Sequence, residues 1–166
     1  MYARLSRSIA LVFGCMLLAH GTGPGALGPW NVTTGTTVAR SMLGAATYNG
    51  NLYAVGGYYE DVYGDNGSTL ATVEFAPLGA DGNVGIWSPT TSLPAAVAMA
   101  GVIAHNGFLY VAGGSSQLNG ATSRTVYFAP IKGDGSIGKW KTTSSLQVAE
   151  LLLIHFRMIP VVLNPP

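Results

Sequence analysis

Most of the stretch from Tyr48 to Trp87 is written twice, and any fold for this chain must first accommodate that repetition. Tyr48 to Gly57 reads YNGNLYAVGG and His105 to Gly114 reads HNGFLYVAGG, identical at six of ten positions. Val73 to Trp87 reads VEFAPLGADGNVGIW and Val126 to Trp140 reads VYFAPIKGDGSIGKW, identical at eight of fifteen. A shorter motif, G-x-W-x-x-T-[TS], occurs three times, at Gly28 to Thr34, Gly85 to Thr91 and Gly138 to Ser144. Trp30 and Trp87 are 57 residues apart, and Trp87 and Trp140 are 53 apart. The difference falls in the segment after Gly-Gly, where a variable loop is expected.

Each unit reads as four short strands. Ser41 to Tyr48 and Ala98 to His105 are small and apolar, as suits strands crowded on both faces. Asn49-Gly50 and Asn106-Gly107 supply the dipeptide that tolerates positive φ at both central positions of a tight hairpin turn. Leu52 to Gly56 and Leu109 to Gly113 follow as second strands, each running into paired glycines, Gly56-Gly57 and Gly113-Gly114, that permit close backbone approach. Thr69 to Leu78 and Ser123 to Ile131 read as third strands, with Ala-Pro near the end. Asp81-Gly82 and Asp134-Gly135 then turn the chain into fourth strands, Val84 to Ser88 and Ile137 to Lys141, carrying Trp87 and Trp140. The expectation is an all-β chain built from two antiparallel four-stranded sheets. Composition agrees: charged residues are 9% of the chain against about 25% in average soluble proteins, while Gly numbers 23. With a net charge of +1 and scattered Lys and Arg, there is no electrostatic footprint for nucleic acid.

An apolar strand, a strand ending in Gly-Gly, a spaced aromatic and a Trp are the marks of the kelch repeat, and this chain resembles that family through Gly56, Gly57, Phe75 and Trp87, then Gly113, Gly114, Phe128 and Trp140, with Trp30 as an extra copy of the last mark. The resemblance covers roughly Gly28 to Gln147 and departs in carrying Phe where many kelch units carry Tyr, and in the long A-P-x-x-x-D-G hairpin before Trp. This variant looks like kelch-type repeats of exported bacterial proteins. The resemblance implies blades of a β-propeller, at about 50 residues per blade. Two blades, about 40–87 and 94–140, are complete, preceded by a stray fourth strand at 28–34, all within a repeat region at 27–147. Propellers close with about four to eight blades, so the ring is incomplete: either the reading frame is a piece of a longer one or several chains close a ring. No polar cap is expected at either end, since residues 28–34 and 150–166 are apolar and poor in charge.

Both ends differ in kind from the repeats. Arg4 and Arg7 precede the apolar run Ile9 to Ala19, followed by small residues, which reads as an export signal over residues 1–26; a buried N-terminal helix is the other reading. Cys15, the only cysteine, lies in that run, so the mature chain would have no disulfide. Residues 148–166 form an atypical tail whose apolar stretches are broken by His155, Arg157 and Pro160, too interrupted for a membrane span.

Residues able to carry chemistry are few. His20, His105 and His155 have no second His or Cys at metal-ligand spacing, and His105 stands at the repeat position of Tyr48. The acidic segment Glu60 to Ser68 offers oxygen ligands without ordered calcium-loop spacing and reads as a solvated loop. Asp81 and Asp134 recur with the fold and read as turn residues. Trp30, Trp87 and Trp140 read as packing between sheets, sugar stacking being the alternative. Asn31-Val32-Thr33 and Asn66-Gly67-Ser68 are glycosylation sequons, relevant only in a eukaryotic secretory route. The pattern holds no nucleophile elbow, Walker loop or H-E-x-x-H, so no catalytic residue, metal or cofactor is assigned and the chain does not read as an enzyme. A galactose-oxidase-like copper site would need a cysteine-linked tyrosine and a His pair. The expected function is an exported, secreted or periplasmic binding or scaffold module that presents loops such as Tyr58 to Ser68 and Ser115 to Ser123 to a protein or glycan, with possible self-association completing a propeller; the alternative is a piece of a larger propeller hydrolase or oxidase.

Overall fold

The computed structural model describes residues 30–60, 67–117 and 120–148. The expected signal at 1–26 and the tail from 149 onward lie outside these, as do Cys15, His20, His155 and Asn66. Residues 30–32 belong to a separate compact unit, Met1–Val32, while every strand belongs to the unit Thr33–Pro166.

The described residues are all-β, with antiparallel pairing throughout and no helix. Strands β1 (Gly44–Tyr48), β2 (Asn51–Val55), β5 (Val73–Pro77) and β6 (Ser88–Thr90) form one four-stranded sheet in the order β1-β2-β5-β6. Strands β7 (Gly101–His105), β8 (Phe108–Ala112), β9 (Val126–Pro130) and β10 (Lys141–Thr142) form a second. Strands β3 (Tyr58–Glu60) and β4 (Gly67–Thr69) pair as a hairpin of their own, inserted between β2 and β5. The Asn-Gly turns behave as the dipeptide requires, with φ of 46° and 73° at Asn49-Gly50 and 47° and 79° at Asn106-Gly107. They set the register of Tyr48 opposite Asn51 and of His105 opposite Phe108. The paired glycines are needed for both conformation and space. Gly57 and Gly114 have φ of 104° and 83°, and a Cβ on Gly114 would meet the Ala98 carbonyl at 2.6 Å.

Strand limits differ from the sequence reading in three places, each for a physical reason. The first strands start at Gly44 and Gly101 rather than Ser41 and Ala98, because Met42 and Met99 sit at positive φ (52° and 57°) and break the ladder. Ser41 and Ala98 pair instead with Tyr58 and Ser115, just past Gly-Gly. The expected third strand from Thr69 is split, since Leu70 and Thr72 bond across to Gly57 and Gly56 between β4 and β5. The fourth strands begin after Trp, at Ser88 and Lys141, rather than containing it. Val84 and Ile137 make single bridges to Leu78 and Ile131, and the tryptophans turn inward.

One face of the first sheet, with Tyr53, Val55 and Val73, packs on Leu109, Val111 and Ala129 of the second to form the main core. Trp140 closes this joint. Ala54, Ala76 and Trp87 form a smaller cluster on the first sheet's other face. Tyr53 is fully buried, and its hydroxyl donates to the Gly135 carbonyl at 2.8 Å across the joint. Burial, then the nearby Asp134 and Tyr48, hold this phenol above its ordinary value of 10.0. A raised folded value means stability is unaffected below the unfolded value and falls as pH climbs above it, because the unfolded phenol ionises first. Denaturant titrations at about pH 8 and about pH 11 should therefore show a smaller alkaline loss in Tyr53→Phe than in the parent. An equal loss in both would show that Tyr53 does not govern alkaline unfolding.

A repeated seam stitches Trp87 and Trp140 each to the preceding T-[TS] pair. The Trp87 indole N–H donates to the Thr34 carbonyl and the Trp140 indole N–H to the Thr91 carbonyl, both at 2.9 Å. The Thr33 hydroxyl accepts from the Val84 N–H and the Thr90 hydroxyl from the Ile137 N–H, both at 2.8 Å. The Thr34 and Thr91 hydroxyls donate to the Val84 and Ile137 carbonyls. This seam is the physical content of the motif.

Two expectations for the N-terminal end are corrected. Residues 30–34 form no strand, and Trp30 is 91% exposed rather than packed. The first sheet's outer face also has a polar cap, made by residues 33–40. The Glu74 carboxylate accepts from the Thr37 N–H and pairs with Arg40, whose guanidinium also donates to the Gly56 and Thr72 carbonyls. Both side chains of the pair are almost fully buried, at 1% and 2% exposure.

Candidate functional site

Two loops singled out by sequence, Tyr58 to Ser68 and Ser115 to Ser123, come together on one edge of the structure. Both start directly after a Gly-Gly pair. The two units therefore deliver their most variable segments to the same place. Between them lies a groove of about 450 Å³ lined by Tyr58, Gly67, Ser68, Thr69, Ser116 and Gln117. The Thr69 hydroxyl donates to the Ser116 carbonyl at 2.6 Å and ties one wall to the other. On the far wall the Ser115 hydroxyl donates to the Gln117 carbonyl at 2.6 Å and fixes that turn.

Tyr58 shapes this groove. A Cβ built on Gly67 would fall 1.8 Å from the Tyr58 hydroxyl, so the ring lies directly on the Gly67 backbone, where no larger residue leaves it room. The other side of Tyr58 borders a smaller depression of about 260 Å³, with Ala39, Arg40, Ser41 and Glu60. The larger groove has no charged residue in its described lining, only hydroxyls, one amide and one aromatic ring.

The other singled-out residues lie apart from the groove or serve the fold. Gly56, Gly57 and Gly114 make the close approaches at the strand ends, and Gly113 takes a positive φ of 70° there. Phe75 stacks on Tyr53 at 6.1 Å, and Phe128 stacks on Tyr110 at 6.0 Å. Trp87 and Trp140 are buried in the seam, and Trp30 stands in solvent. His105 is exposed at the end of β7. Asp81 and Asp134 accept from backbone N–H groups two residues on, at Asn83 and Ser136. Hydrogen bonds from those same residues hold both carboxyls below their usual range. Among the described residues no three His, Cys, Asp or Glu converge as a metal site, and no helix is long and apolar enough to cross a membrane. Glu60 is exposed on β3, and most of the acidic segment after it lies outside the described residues. No protein-family model matches the chain, and no curated protein matches it significantly.

Proposed function

We propose that this chain is an exported kelch-type module, its two four-stranded sheets being propeller blades, and that it binds a neutral glycan in the groove between the two post-Gly-Gly loops. The reading rests on one observation: both loops converge on a groove whose described lining is uncharged and rich in hydroxyls, with an aromatic ring fixed in one wall. Sugars present hydroxyls that need neutral donors and acceptors, and apolar C–H faces that pack on aromatic rings. The repeat period, the Gly-Gly and Trp marks and the antiparallel four-stranded sheets support the blade reading. Export is supported by the charged, apolar and small-residue order of residues 1–26. A protein partner is the second reading, and the same groove would then be its anchor.

The test is a panel of neutral oligosaccharides titrated against the parent, Tyr58→Ala and Gly67→Ala. At least one sugar should bind the parent, and both variants should weaken it about tenfold or more, the effect of losing or displacing one aromatic contact of about 1.5 kcal/mol. Failure of every sugar to bind, or binding indifferent to Tyr58→Ala, would remove the glycan reading.

A further inference from the structure

The joint between the two sheets is a template for a second joint. Inside the chain, Tyr53, Val55, Val73 and Phe75 of the first sheet face Leu109, Val111, Ala129 and Trp140 of the second unit. In the second sheet the repeat positions of that first set are held by Tyr110, Ala112, Val126 and Phe128, all only partly buried. Phe108, Tyr110 and Phe128 cluster there with ring centroids 6.0 to 6.4 Å apart. Ile103, at the position of Ala46, is 62% exposed. The complementary surface also recurs: Val102 and Ala104 pack in the joint, and their counterparts Ala45 and Thr47 are exposed on the part of the first sheet's outer face that the cap of residues 33–40 leaves uncovered. The seam is likewise repeated beyond its use, since Thr143 and Ser144 are a third T-[TS] pair and both are exposed.

We infer that this face of the second sheet, on which no other described strand packs, is an interface for a second copy of this chain, joined head to tail. The incoming copy sets Ala45, Thr47 and Trp87 of its first sheet over Ile103, Tyr110 and Phe128. Thr143 and Ser144 then take up the hydrogen bonds to its Val84 and Trp87 that its own Thr33 and Thr34 make. The occupant is a second copy because this chain carries both halves of a joint it already forms once, and neither half adds a buried unpaired charge. Lys141, at the register of Phe128, lies on the edge strand, where its ammonium can stay in water. Glu74 is already neutralised by Arg40. The exchange at the seam is nearly even, one Thr pair replacing another. A heterologous contact of this kind closes a ring or extends as a filament. The inference rests on sheet packing and is independent of what the groove binds.

Sedimentation velocity of the purified chain from about 1 to about 100 μM tests it. Association should grow with concentration in the parent and weaken tenfold or more in Ile103→Lys, with thermal unfolding of the dilute chain unchanged because Ile103 is largely exposed. Ile86 is 82% exposed, and its counterpart in the next unit is Lys139, so Ile86→Lys should associate like the parent. A folded monomer throughout the range, association indifferent to Ile103→Lys, or equal weakening by both variants would overturn the inference.

Discussion

Replacing Trp140 by Ala is expected to destabilise the folded chain by about 3 to 5 kcal/mol, the cost of removing a large aromatic from a core. Trp140 closes the joint between the two sheets, packed with Leu109, Val111 and Ile137, and its indole N–H has a buried-side partner in the Thr91 carbonyl. Removing it opens a cavity and leaves that carbonyl without its donor, and neighbouring strands cannot collapse into the gap because the seam fixes Thr90 and Thr91 to Ile137. Trp87→Ala removes the same seam bond from the smaller cluster with Ala54 and Ala76 and should cost a similar amount. Trp30→Ala should stay within about 0.5 kcal/mol, as expected of an exposed site. Denaturant unfolding of the three variants checks the order. Equal costs for Trp30 and Trp140 would contradict the seam, and a Trp87→Ala chain that melts like the parent while losing a sugar would make Trp87 a binding residue.

Much of this architecture was legible because it is written twice. Repetition separated the residues that the fold needs from those it tolerates: Asn-Gly, Gly-Gly, Phe75 and Phe128, and the Trp-to-Thr spacing all recur, and each recurrence matches a specific turn, close approach, ring stack or hydrogen bond. Strand limits were less legible. Met42 and Met99 recur in the sequence, yet nothing in a methionine announces positive φ, so the break they impose was not readable. The fourth strands were placed too early because Trp87 and Trp140 look like strand residues, while their burial in the seam requires them to leave the ladder.

The candidate groove was half legible. Its two loops stood out as the segments where the units differ in length, and their convergence follows once the units stack in the same orientation. The clamp of Tyr58 on Gly67 was not readable, since it joins the two ends of a hairpin found in the first unit alone among the described residues. The capping pair was also missed. Arg40 and Glu74 stand where the second unit has Val97 and Tyr127, so the repeat gave no signal; a carboxylate inside the apolar run VEFAP, in a chain this poor in charge, was the available clue.

Glu74→Ala is expected to cost about 3 to 5 kcal/mol, because it leaves the Arg40 guanidinium buried without its counter-charge. Glu74 also accepts from the Thr37 N–H, so the segment that caps the outer face loses its central tie. Arg40→Val alone should be costly for the mirror reason, stranding the carboxylate. The double variant Arg40→Val with Glu74→Tyr installs the pair of residues that the second unit carries at these positions and should recover most of the loss, since replacing a buried ion pair with apolar groups is often neutral. A double-mutant cycle measured by denaturant unfolding isolates this coupling. If Glu74→Ala falls within about 1 kcal/mol of the parent, water reaches the pair and the cap is not a sealed one. The cycle bears on binding too. Arg40 donates to the Gly56 carbonyl, two residues before Tyr58, and to the Thr72 carbonyl beyond β4. It therefore braces both ends of the hairpin that places Tyr58 on Gly67, and single variants should weaken groove binding along with stability, whereas a Trp140 variant that stays folded should leave the Tyr58 wall intact.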